Sequence, residues 1–203
     1  MSEAKVRAFR PSSRVARGVA ILLATLWAQA AAGAALSEES LYERPLSFLD
    51  DTGTPVALST FGGREVVLTM FYARCRSACP ATLEKLRQVD RAFAEHDRSV
   101  EVVLVSYDFD FDTPHRLARY RSLEKVPARW HLLCGERQAV ETLAQKIGLG
   151  RHLDMGDHIL HSYRIVLLDE SGVVRKALDA DHDKIPSLFE GGSGPLAPVP
   201  LRK

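Results

Sequence analysis

Two hydrophobic periods take turns along the chain. Val66 to Tyr72 (Val-Val-Leu-Thr-Met-Phe-Tyr) is a continuous apolar run, as a strand buried on both faces requires. Val100 to Val105 reads as a second buried strand, Trp130 to Cys134 as a third strand and Ile165 to Leu168 as a fourth. Between them, apolar residues recur at helical spacing. Leu83, Leu86, Val89 and Phe93 mark a helix over 80–93, Leu117 and Tyr120 one that follows Thr113-Pro114, and Val140, Leu143 and Ile147 one over 136–147. The ends carry matching signals: Pro80 suits a first helical turn, Thr113 an N-cap with Pro114 behind it, and Gly148 the position past a helix end. Asp51-Thr52-Gly53 and Glu170-Ser171-Gly172 read as turns beside the short strands Pro55–Leu58 and Val173-Val174. Strands alternating with helices predict βαβ units, an α/β fold whose central, mostly parallel sheet is flanked by helices.

Both termini fall outside this alternation. Residues 1–36 open with Lys5, Arg7, Arg10, Arg14 and Arg17 against Glu3 alone, then run apolar from Val19 to Ala28 and end in the small residues Ala30 to Ala35. That is the layout of an export signal with A-x-A sites such as Ala32-Gly33-Ala34. The stretch 18–36 also approaches the length that spans a bilayer, so residues 1–35 are a signal peptide or an N-terminal membrane anchor, with cleavage near Ala34 the favoured reading. Either way the domain is expected outside the cytoplasm, in a periplasm. At the other end, residues 191–203 begin Gly-Gly-Ser-Gly-Pro and read as a loose tail. The folded domain is expected between 41 and 190.

Composition sets limits on function. Apolar residues are 46% and charged residues 26% of 203, which excludes a disordered or fibrous chain. The formal charge of +1 owes its sign to the leader; past residue 36, 22 basic residues face 25 acidic ones. Nothing here suggests nucleic-acid binding, which calls for a basic excess. Three cysteines are too few for a disulfide scaffold but enough for a pair and an odd thiol.

Cys75-Arg76-Ser77-Ala78-Cys79-Pro80 lies where the first long buried strand hands over to a helix, the rim at which α/β sheets collect ligands. A helix N-terminus and the neighbouring Arg74 and Arg76 are expected to favour thiolate at both cysteines. Helical spacing would set positions 75 and 79 on one face, about 5–6 Å apart at Cβ, which suits two sulfurs on one ion. It is wide for a relaxed disulfide, which a non-helical loop would be needed to close. His161, in Asp157-His158-Ile159-Leu160-His161-Ser162 just before a strand, is the best candidate for a third ligand, ahead of His158. His96, His115, His131, His152 and His182 read as surface or capping residues, and Cys134 as a buried core thiol. Asp108-Phe109-Asp110-Phe111-Asp112 lacks the Gly and distal Glu of a calcium loop and reads as a solvated loop with aromatic anchors.

In consistent order over about Phe48–Phe189, the chain resembles the Sco/SenC copper chaperones, which have a thioredoxin-like fold. The resemblance is carried by Phe71-Tyr72-Ala73-Arg74-Cys75-Arg76-Ser77-Ala78-Cys79-Pro80, by Val105-Ser106-Tyr107-Asp108 with Asp112-Thr113-Pro114, and by His161-Ser162 with Leu167-Leu168-Asp169-Glu170-Ser171-Gly172. It implies that copper, Cu(I) or Cu(II), is held by Cys75, Cys79 and His161. The implied task is to deliver copper to the dinuclear copper centre of cytochrome c oxidase, or to reduce that centre's cysteines. The implied partner is the oxidase's copper-bearing subunit, beside other periplasmic copper chaperones or thioredoxin-like reductants. Soft thiolates with imidazole suit Cu(I), and a three-ligand site leaves the ion open to a partner; zinc would want a fourth ligand, which Asp157 or His158 offers. The chain departs from the family at Arg76 and Ser77, where Pro and often an acidic residue are usual. The second reading is a thiol–disulfide oxidoreductase with Cys75 and Cys79 as its redox pair. A third, peroxide reduction by Cys75, is weaker because Tyr72 stands where peroxiredoxins have Thr.

Overall fold

The computed structural model describes residues 39–75, 79–149, 164–178 and 184–189, with backbone alone at 153–154, 159–160 and 179. The leader 1–36, the tail 191–203, Arg76, Ser77, His152, His158, His161 and His182 lie outside the described residues.

The apolar runs become strands at the centre of the molecule. β3 (Val66–Phe71) and β4 (Glu101–Ser106) pair in parallel, and β4 pairs in parallel with β5 (His131–Cys134). Every residue of β3 is buried, so both faces of the sheet are covered at its centre. α1 (Cys79–Glu95) carries the chain from β3 to β4, and α2 (Pro114–Glu124) from β4 to β5; α3 (Arg137–Lys146) follows β5. Leu83, Leu86, Val89 and Phe93 of α1, Leu117 and Tyr120 of α2, and Val140 and Leu143 of α3 all enter the core.

The sheet is more mixed than the sequence pattern suggests. Among the described residues it has seven strands in the order β2-β1-β5-β4-β3-β8-β9, where β1 is Ser47–Asp50, β2 Pro55–Ala57, β8 Arg164–Leu168 and β9 Val174–Asp179. Only the two central pairings are parallel; β1 with β2, β1 with β5, β3 with β8 and β8 with β9 are antiparallel. Parallel neighbours need a long crossover, which α1 and α2 supply, while strands joined by a tight turn must run antiparallel. A separate antiparallel ladder joins β6 (Leu153–Asp154) to β7 (Ile159–Leu160).

Both outer hairpins turn on one device. Asp50 Oδ1 accepts from the backbone N–H of Thr52 and Thr54 at 2.8 and 2.9 Å, and Asp169 Oδ1 from those of Ser171 and Val173 at 3.0 Å each. Gly53 and Gly172 take the left-handed backbone that each turn demands (φ +86° and +81°). Burial raises both carboxyls somewhat, but the hydrogen bonds to the charged form prevail and hold them below the usual aspartate range.

The helix ends follow the sequence signals. Thr113 Oγ1 accepts from the Arg116 N–H at the start of α2. Beyond α3, Gly148 adopts φ +72°, and the buried Arg164 guanidinium donates to the carbonyls of Ile147 and Gly148 at 3.3 and 3.1 Å, a cation at the negative end of the helix. Thr113→Ala should lower stability by about 1 kcal/mol, read as a lower urea midpoint at unchanged slope.

Candidate functional site

The strand–turn–helix from β3 to α1 brings Cys75 and Cys79 together. After Phe71 the chain turns, with the Cys75 N–H donating to the Tyr72 carbonyl at 3.1 Å. Cys79 begins α1, and its backbone N–H points at the Cys75 sulfur, 3.3 Å away. The Cys79 thiol faces the Tyr72 carbonyl at 3.9 Å. Cys75 thus stands in the turn before the helix, not on a shared helical face. Its sulfur occupies the place of a capping group, where the helix's positive end favours negative charge. Both thiols are free and almost covered, at 7% and 2% exposure.

Thiolate character at both cysteines does not follow. Cys79 is pushed far above the ordinary thiol range, first by its hydrogen bond with the Cys75 thiol and then by burial. The expected counterweight is spent elsewhere: Arg74 Nε donates to Asp108 Oδ2 at 2.7 Å, and its guanidinium lies 4.6 Å from the centroid of the Phe111 ring.

Residues 108–112 are the part of the site the sequence reading missed. They are not a solvated loop: Asp108 and Asp112 are 6% and 4% exposed. Asp112 Oδ2 accepts from the Ala73 N–H at 2.9 Å and the Ser106 hydroxyl at 2.5 Å, and the Asp108 N–H donates to Ser106 Oγ at 3.0 Å. The Tyr107 N–H donates to the Phe71 carbonyl at 2.7 Å. These contacts fasten the turn that bears Cys75 to the end of β4. Burial raises the Asp112 carboxyl above its usual range, opposed by its two hydrogen bonds. Asp110 alone is in water, pairing with Arg137, and Arg137 also covers Phe109. The available signal was position. The segment directly follows a buried strand at the same rim as Cys75, so alternate side chains turn inward. Tyr120 of α2 closes the site from the side, its ring 5.1 Å from that of Phe71.

The remaining candidates divide as follows. Among the described residues, no three His, Cys, Asp or Glu side chains are grouped to hold a metal ion. His161 and His158, offered as third donors, lie outside the described residues, as does Arg76. His96 Nδ1 meets the Ala92 carbonyl and its ring stacks on Phe189, while His131 pairs with Glu101, both as surface or capping groups. Cys134 is buried with its thiol toward the Leu49 carbonyl, and burial, aided by the charge of Asp112, pushes it up to about 11.

Comparison with known proteins adds a decisive match: the SCO1/SenC family profile covers residues 34–188. The chain belongs to the SCO1/SenC family. A curated relative, the SCO1 protein homolog of Bacillus subtilis, is 21% identical over 168 residues, 80% of this chain and 87% of that protein. Among solved structures, Arabidopsis thaliana ScoI with copper bound superposes with a TM-score of 0.64 at 22% identity, covering 71% of this chain and 91% of that one. BsSco, described as having a disulfide switch and as a member of the Sco family of cytochrome c oxidase assembly proteins, superposes at 0.63 with 17% identity, covering 77% and 94%. At these identities the likeness carries the fold, and the fold is thioredoxin-like, as the SCO1/SenC resemblance implied.

Proposed function

We propose that this SCO1/SenC protein binds one copper ion through Cys75, Cys79 and His161 and acts as a copper chaperone in the maturation of the dinuclear copper centre of cytochrome c oxidase. The observation that carries the reading is the convergence of two nearly buried sulfurs at the sheet rim, one directly against the backbone N–H of the other's residue. Two soft sulfurs in a covered site suit copper(I), and His161 would add a borderline nitrogen. Copper here is cargo. Loading it requires both cysteines to shed their protons, and the cation takes the place of the proton that burial and the neighbouring thiol hold on Cys79. The leader, as signal or anchor, would set the domain in the periplasm, where the copper-bearing subunit of the oxidase is the receiver.

The copper-bound state of Arabidopsis ScoI supports the metal reading. A second reading, dithiol–disulfide exchange, draws support from the closeness of the two cysteines, the Cys79 N–H meeting the Cys75 sulfur at 3.3 Å, and from the disulfide switch of BsSco. The two differ at His161. Titrating copper(I) into the reduced protein should load one equivalent, and His161→Ala should weaken that binding by roughly 10-fold or more, on the scale of groups that tune metal ligands. If the imidazole is no ligand, His161→Ala binds copper as tightly as the native protein. The ion would then rest on Cys75 and Cys79 alone, whereas a reduced native protein that loads no copper would leave only the exchange reading.

A further inference from the structure

The topology of the sheet gathers positive charge around the cysteine pair. β3, β4 and β5 run parallel and each is followed by a helix, so the N-termini of α1, α2 and α3 all open on the rim that holds Cys75 and Cys79. Each such terminus carries partial positive charge and ordinarily attracts acidic residues. α1 and α2 have none in their first turns. α2 instead has His115 and Arg116 there, against the preference of its dipole, and Arg119 lies one turn further along the same exposed face.

Arg116 and Arg74 are held in place. The Arg116 guanidinium lies 3.4 Å from the centroid of the Phe111 ring, and Arg74 shares that ring at 4.6 Å. A guanidinium seated on an aromatic face is ordered before any partner arrives and still presents its donor fork outward. Arg74 is balanced by Asp108, whereas Arg116 and Arg119 form no ion pair with a described carboxylate. Beside Arg119, Tyr120 packs on Phe71 at the end of β3, so this face of α2 borders the thiols. The concentration is local. Past residue 36 the chain carries more acid than base, so the exposed face of α2 at His115, Arg116 and Arg119 stands against the net charge of its own domain.

We infer that Arg74, Arg116 and Arg119 form a docking surface for an acidic segment of a partner protein, which presents that partner's metal ligands or cysteines to Cys75 and Cys79. The inference names the partner chemistry of the copper-transfer reading and rests on that reading only for what is exchanged there. Complementary charge beside a transfer site steers encounter and fixes orientation while leaving the complex free to dissociate.

The test uses hexaglutamate as the acidic segment, titrated at low salt into the reduced, ¹⁵N-labelled full chain, with hexalysine as control. Amide shifts should cluster at residues 74, 111 and 115–119. Arg116→Gln with Arg119→Gln should weaken binding roughly threefold or more, and added salt should erase the difference. Shifts spread evenly over Arg64, Arg91, Arg98 and Arg175, or binding indifferent to the double substitution, overturn the docking surface. Copper titration of the same samples keeps the two readings apart: a native protein that takes up no copper yet binds hexaglutamate at this rim sinks the copper reading and leaves the docking surface standing.

Discussion

Cys79→Ser is expected to abolish copper(I) binding in the range where the native protein is saturated, a loss of at least ~100-fold or about 2.7 kcal/mol. A serine hydroxyl is a hard donor that does not ionise near neutral pH, so the substitution removes one of two soft ligands while changing little else. The position tolerates it structurally. At residue 79, in the first described turn of α1, a serine hydroxyl can donate to the Tyr72 carbonyl that the thiol now faces. The thermal midpoint should therefore stay within a few degrees of native, which separates loss of a ligand from loss of fold. The same variant tests dithiol exchange, since Cys75 alone can form a mixed disulfide but cannot release it by internal attack. Retention of tight, stoichiometric copper binding by Cys79→Ser would remove Cys79 from the site and the copper proposal with it.

The sheet centre was legible because it is written in a single variable. A strand covered on both faces must be apolar throughout, and Val66–Phe71 and Glu101–Ser106 match the runs to within a residue or two. Helix ends were legible where one residue type has one physical use, as with Thr113 capping α2 and Gly148 leaving α3. Pairing direction was not legible. The run at 165–168 is as apolar as a parallel strand, yet it lies antiparallel beside β3, because burial on both faces sets composition whichever way a strand runs. The candidate site divided in the same way. Cys75 and Cys79 announced themselves by residue type and by standing at a strand-to-helix junction. Their acid–base state did not, because charges adjacent in sequence need not face each other: Arg74 turns to Asp108, thirty-four positions along the chain. Asp108 and Asp112 were hidden by their own chemistry. Acidic residues in a loop are ordinarily in water, and only the fold reveals that Ser106 at the end of β4 and Ala73 in the turn after β3 donate to Asp112, and Arg74 to Asp108.

Asp112 carries the second large effect, on stability and on the shape of the cysteine turn. Its carboxyl is 4% exposed and satisfies the Ala73 N–H and the Ser106 hydroxyl. Asp112→Ala strands both donors, each at the cost of a buried group left without a partner, for a total of about 2–4 kcal/mol in urea unfolding. Ala73 is two residues before Cys75, so the variant should also bind copper more weakly than native even where it remains folded, because the turn no longer holds one conformation. Asp112→Asn keeps an acceptor for Ala73 and should recover most of the stability and the affinity. The pH dependence separates the two roles. Burial raises the folded carboxyl above its usual 3.8, so the folded state holds this proton better than the unfolded chain does. Its contribution to stability is therefore largest below 3.8 and falls as pH rises through the folded value. Asparagine has no proton to lose. The stability of Asp112→Asn relative to native should thus improve as pH is raised from acid to neutral. A native-minus-asparagine difference that stays constant over that range, or moves the other way, would show that Asp112 is ionised in the folded protein as readily as in the unfolded chain, and that its hydrogen bonds outweigh its burial.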